Sequence, residues 1–99
     1  MYSMGAYFVE VIPQPIPGDG WTADAQFSRQ IDYRKHAEVP KVSYPSHVVE
    51  PTKALAERAV TEWAREFVST SWEVIESSLR LKEEKGANGH IASDSNAAQ

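Results

Sequence analysis

From Pro51 to Lys85 the chain runs for thirty-five residues without an internal proline or glycine, dense in alanine, glutamate, arginine and large apolar side chains. Such a run is predicted to be helix. Pro51 suits a first helical position, where its missing N–H would be unpaired anyway, and Ala54 to Ala59 supply residues of high helical propensity. Ala56, Val60, Trp63 and Phe67 recur at i, i+4, i+7 and i+11 and form one apolar stripe. Val68, Trp72, Ile75 and Leu79 repeat that spacing, but their stripe is rotated by roughly 120° on a straight helix, so one flat surface cannot bury both.

The change of face falls at Ser69-Thr70-Ser71, where Thr70 and Glu73 have the T-x-x-E form of a capping box. Two outcomes are open. A helix over 51–68 that restarts over 71–85 would fold Trp72, Ile75 and Leu79 back onto the same domain. A straight helix would be about 50 Å long, against about 30 Å for a globule of this size, and its overhanging half would need a partner. On that second reading Val68, Trp72, Ile75 and Leu79 are an interface, and symmetry makes a homodimer its commonest form.

Upstream the periodicity changes to two. Residues 6–12 (Ala-Tyr-Phe-Val-Glu-Val-Ile) read as a strand with Tyr7, Val9 and Val11 on the core face. Pro13, Pro15 and Pro17 remove ladder donors, and Pro17-Gly18-Asp19-Gly20 marks a reversal. Trp21, Ala23, Ala25 and Phe27 alternate with polar residues in a second strand, about 21–31, and a third extended piece spans 39–44. Met1 to Gly5 is expected to be a frayed lead-in. Strand and helix lengths match, which predicts an α+β two-layer sandwich of a three-stranded antiparallel sheet and one helix, with Tyr7, Val9, Trp21, Phe27, Val60, Trp63 and Phe67 in the core. Residues 1–85 then make a single domain; Gly86 ends the helix, and 86–99 form a disordered tail.

Composition narrows the function classes. The chain has no cysteine, which excludes disulfides and thiolate zinc sites, and its net charge of −4 argues against general nucleic-acid affinity. No stretch approaches the roughly 20 apolar residues that cross a bilayer, and no basic leader precedes 6–12, so a cytoplasmic protein without membrane attachment is expected. His36, His47 and His90 lack metal-ligand spacing and read as surface histidines. The helix glutamates mostly face a basic residue at i±3 or i±4, as Glu62 with Arg65 and Glu76 with Arg80, and read as a solvated face. Glu10 is the one candidate for a buried acid, and a solvent-facing hairpin position is the simpler reading. There is no nucleophile elbow and no phosphate loop, so the chain reads as non-enzymatic and without cofactor.

The order of an aromatic strand (Tyr7-Phe-Val-Glu-Val), a D-G-W-T-A segment (Asp19 to Ala23) and an alanine-rich helix (Ala54, Ala59, Trp63) resembles the β-β-β-α domain of HicB-type antitoxins and related small bacterial proteins. The resemblance covers about residues 6–68 and implies a fold and a habit of binding protein partners. The chain departs from that family in the extra prolines of its first hairpin loop and in having no DNA-binding segment after the helix.

Two surfaces therefore compete. A protein-interaction module, antitoxin-like or a small inhibitor, would use the distal helix stripe. A nucleic-acid-binding module would use Arg29, Tyr33, Arg34, Lys35 and Lys41, where basic residues interleave with aromatics.

Overall fold

The computed structural model describes residues 1–35 and 38–91, with side chains placed among these up to Lys85. Four strands, β1 (Tyr2–Met4), β2 (Tyr7–Ile16), β3 (Gly20–Arg29) and β4 (Val42–Pro45), form one antiparallel sheet in the order β1-β2-β3-β4. A single helix, α1 (Lys53–Ile91), covers one face of it. The α+β class is as the periodicities predict, with one strand more than expected.

The added strand is β1, in the expected lead-in. Its three residues are too short to show a period, but Gly5 at φ 58° opens a two-residue turn that returns the chain with Met4 opposite Tyr7. Glycine at the first central position is what such a hairpin requires.

β2 is longer than 6–12 and runs through Pro13 and Pro15. The ladder accommodates them. The Gln30 N–H donates to the Ala6 carbonyl, so even-numbered β2 residues bond to β3 and odd-numbered ones point their N–H groups away from it. Tyr7 and Val9 use that direction to pair with β1, which stops opposite Val9; at Pro13 and Pro15 no donor is called for. The reversal is a turn closed by the Asp19 N–H on the Ile16 carbonyl (2.9 Å), with Pro17 preceding Gly18 at φ 80°. Gly20, at φ 99°, has no room for a side chain: a Cβ would strike the Glu50 carbonyl.

β3 ends at Arg29, earlier than expected, and Gln30–Arg34 form a 3-10 turn in place of further strand. The helix starts later than expected. Thr52 is its cap, accepting the Leu55 N–H at 3.2 Å, and Pro51 stands outside. It also ends later, passing Gly86 to reach Ile91. Residues 92–99 of the expected tail lie outside the described residues.

Within α1, Ser71 alone leaves helical geometry (φ −135°, ψ 28°). The capping box does not form. The Thr70 hydroxyl instead donates back to the Glu66 carbonyl at 2.9 Å, a bond that competes with the helical ladder and bends it. The kink turns the second stripe onto the same core as the first.

That core holds Val9, Ala23, Ala25 and Phe27 of the sheet against Val60 and Ala64 of α1, with Met4, Tyr7 and Val42 at its margins. Trp63 and Phe67 are partly buried and stack at 5.0 Å, and Phe67 reaches the rings of Phe27 and Tyr44 at 5.7 and 5.1 Å. Two expectations are corrected. Trp21 is half-buried outside the core, because it lies where β3 bridges to Glu50 before α1 begins. Ile75 and Leu79 are fully buried in the protein's own core and Val68 packs against it, so three of the four expected interface residues are turned inward; Trp72 alone stays half exposed.

Candidate functional site

The chemically densest region is the end of the sheet where β3 passes into the 3-10 turn and the distal half of α1 crosses above. Arg29 lies opposite Tyr7 on the helix-facing side. Its guanidinium makes three ion pairs, each at 3.1 Å, with Asp32, Glu76 and Glu83. Glu76 is doubly engaged: Arg29 Nε donates to its carboxylate, and the Tyr7 hydroxyl donates to Oε2 at 2.7 Å. Burial, reinforced by the neighbouring Glu76 carboxylate, pushes the Tyr7 phenol well above its ordinary range. Burial works against the Arg29 charge, but hydrogen bonds to Asp32, Glu76 and Glu83 outweigh it and raise its pKa.

Two further bonds hold the distal helix from the β4 side. The Tyr44 hydroxyl donates to Ser78 Oγ at 2.6 Å, and Lys82 Nζ donates to the Lys41 carbonyl at 2.6 Å. These clasps fix where the end of the sheet meets the helix.

The 3-10 turn folds over the opposite face of the sheet. The Gln30 side-chain amide reaches the carbonyls of Gly5 and Tyr7 and the Ser3 hydroxyl, pinning the turn to the first hairpin. Tyr33 sets its ring edge-on to Phe8 at 5.1 Å and shares a hydrogen bond with Ser28 (3.1 Å). Between turn, hairpin and helix lies a cleft of about 660 Å³. Its apolar lining comes from Ala6, Phe8, Ile31 and Tyr33; Arg34 borders it, and Arg29 with Glu76 forms its polar side. Ile31 and Tyr33 are 54% and 39% exposed. Trp72, 50% exposed, sits one helical turn before Glu76, with its backbone carbonyl 3.5 Å from the Tyr7 hydroxyl, and so flanks the same end of the sheet.

The expected nucleic-acid residues divide. Arg29 is saturated by carboxylates, and Lys41 is half-buried with its carbonyl engaged. Tyr33, Arg34 and Lys35 remain exposed on the turn, and among the described residues no carboxylate pairs with either cation. His47 is exposed at φ 61°, and His36 lies outside the described residues. Glu10 is exposed. Among the described residues no group of three or more His, Asp or Glu is placed to hold a metal ion, and no helix is long and apolar enough to cross a membrane.

Sequence reasoning missed the contribution of Phe8, Gln30 and Ile31. Alternation through Phe27, Arg29, Ile31 and Tyr33 imitates a continuing strand. The contrary signal is Arg29 with Asp32, an i, i+3 ion pair that a strand cannot make and a tight helical turn can.

No protein family model matches the chain, and neither a curated protein nor a solved structure matches it. The functional reading therefore rests on the geometry of the cleft.

Proposed function

We propose that this protein is a non-enzymatic protein-interaction module whose recognition surface is the cleft at the end of the sheet. One observation carries the reading: Ile31, Tyr33 and Arg34, which pairs with no carboxylate among the described residues, are exposed around one concavity, and Trp72 is exposed one helical turn before Glu76 on its polar side. Tryptophan, tyrosine and arginine are the residues that most often supply binding energy at protein interfaces, and a concave apolar site with few polar groups is the usual form of a binding pocket. An antitoxin-like regulator or a small inhibitor would each act through such contact. The distal stripe no longer supports a homodimer, since Ile75 and Leu79 serve the protein's own core.

The test is selection of displayed random peptides on the immobilised full chain, with binding mapped by two-dimensional NMR. Enriched peptides that shift Ile31, Tyr33, Arg34 and Trp72 support the reading. Absence of enrichment, or shifts confined to other surfaces, would overturn it.

The exposure of Arg34 and Lys35 beside Tyr33 favours a second reading, a nucleic-acid-binding module. Labelled single-stranded DNA and RNA at low salt decide it. Binding through these two cations would fall with added salt with a shallow slope, near two phosphates' worth.

A further inference from the structure

We propose that the cleft is filled by a second copy of this chain, in a two-fold dimer that seats Ile31 of each protomer in the cleft of the other and sets Arg34 of each against Glu83 of the other. This rests on the cleft being the recognition surface, and names its occupant.

The region carries both signs of charge, and the fold keeps them apart. Asp32, Glu76 and Glu83 share the single Arg29 cation, which leaves the polar wall of the cleft at −2. Arg80, one turn beyond Glu76, is outnumbered by the exposed Glu73 and Glu84 on the same flank of α1. Arg34 and Lys35 are exposed on the turn and pair with no carboxylate among the described residues. With three residues to each turn of a 3-10 helix, Asp32 and Arg34 face different ways: Asp32 is buried towards Arg29, and Arg34 is turned out. A strongly acidic or strongly basic partner would be drawn to one part of this surface and repelled by the other. A copy of the surface, turned through a two-fold rotation, meets each sign with its opposite. Glu83 is the acid placed to answer Arg34, because both oxygens of Glu76 are engaged by Arg29 and Asp32 is buried, whereas the Glu83 side chain is 36% exposed.

Shape leads to the same partner. Tyr33, edge-on to Phe8 and hydrogen-bonded to Ser28, makes a stiff wall, and Ile31 stands at the rim with more than half of its surface exposed. A knob beside a hollow is what a two-fold exchange needs, since each copy supplies the side chain that fills the other. The cleft of about 660 Å³ takes an isoleucine together with the turn that carries it. The net charge of −4 on each copy opposes their approach, but physiological salt screens that repulsion beyond about 8 Å, while the opposed groups meet in contact.

Sedimentation velocity of the full chain at physiological ionic strength, diluted from millimolar to micromolar, reads the dimer directly. Ile31→Ser and Arg34→Glu should each weaken self-association at least about tenfold, because each change counts twice in a two-fold dimer. Glu83→Lys should do the same, and it leaves Arg29 its bonds to Asp32 and Glu76. The decisive sample is an equimolar mixture of the Arg34→Glu and Glu83→Lys chains. Each alone opposes like charges at both contacts; together they restore one native pair and one reversed pair, and should associate about as tightly as the wild type. A thermal midpoint unchanged at a dilution where the wild type is monomeric verifies that each variant is folded. A wild-type chain that stays monomeric at millimolar concentration, a dimer indifferent to Ile31→Ser and Arg34→Glu, or a mixture that stays monomeric would overturn the proposal. Sparsely immobilised chains have open clefts, so displayed peptides test the surface separately. Peptides that map to the cleft of a monomeric chain keep the surface and give it to a foreign protein. If neither a second copy nor a peptide maps there, the reading of the surface itself fails.

Discussion

The two halves of α1 lie against the same sheet by different means. From Lys53 to Thr70 the contact is apolar: Ala56, Val60 and Ala64 are fully buried, and Trp63 and Phe67 close the flank. From Ser71 onward Ile75 and Leu79 alone among the described side chains are fully buried, and polar bonds at Glu76, Ser78, Lys82 and Glu83 do much of the holding. Apolar burial is indifferent to direction, whereas a hydrogen bond demands a particular partner at a particular angle. The first half is held by apolar burial, and the second adds to its own buried pair, Ile75 and Leu79, the polar bonds that shape the end of the sheet.

Substitutions that act on one half alone sharpen this contrast. Phe27 is fully buried beneath Phe67 and Tyr44, so Phe27→Ala should cost roughly 3–5 kcal/mol and lower the unfolding midpoint of the whole chain in denaturant. A loss below about 1 kcal/mol would show that the proximal core is not the source of stability.

Arg29→Met should have an intermediate and local effect. It removes the cation that three carboxylates share, but the partial contact of Glu76 and Glu83 with water brings the cost to about 2 kcal/mol, below that of breaking a wholly buried pair. Native-state hydrogen exchange should accelerate over 72–85 and stay unchanged over 54–68. Uniform acceleration across both halves would erase the distinction drawn here.

The smallest effect belongs to Tyr7→Phe, about 1 kcal/mol near neutral pH. Its pH dependence is the more telling readout. The phenol's pKa is raised in the folded state, so its contribution is complete below the unfolded pKa of about 10 and is lost as pH climbs through the folded value. Wild-type stability should thus decline above about pH 10 more steeply than that of Tyr7→Phe. Parallel alkaline profiles would contradict the burial of the Tyr7 hydroxyl against Glu76.

The same contrast explains what the amino-acid order could disclose. Alternation assigns Tyr7, Val9, Ala23, Ala25 and Phe27 to one face, and helical spacing assigns Ala56 and Val60 to meet them, because each pattern is written within a dozen neighbouring residues. The change of face near Ser71, which left a straight and a broken helix both open, was also legible in the rotation between two stripes. Which way the chain would turn there was not, since it depends on Arg29 meeting Glu76 across 47 residues and Tyr44 meeting Ser78 across 34. The cleft shares that obscurity. Phe8 and Ile31 look like ordinary strand residues until the 3-10 turn folds one toward the other.

The prolines of β2 bear on how the chain survives its own synthesis. The strands leave the ribosome before α1, so for a time the apolar face of Val9, Ala25 and Phe27 has no cover. A bare sheet is most dangerous along its margins, where a neighbouring chain can add a strand. Beyond the reach of β1, Pro13 and Pro15 present no N–H there, and on the far margin Pro45 does the same. The half-made protein thus waits for its helix with fewer open donors along its edges for another copy to pair with.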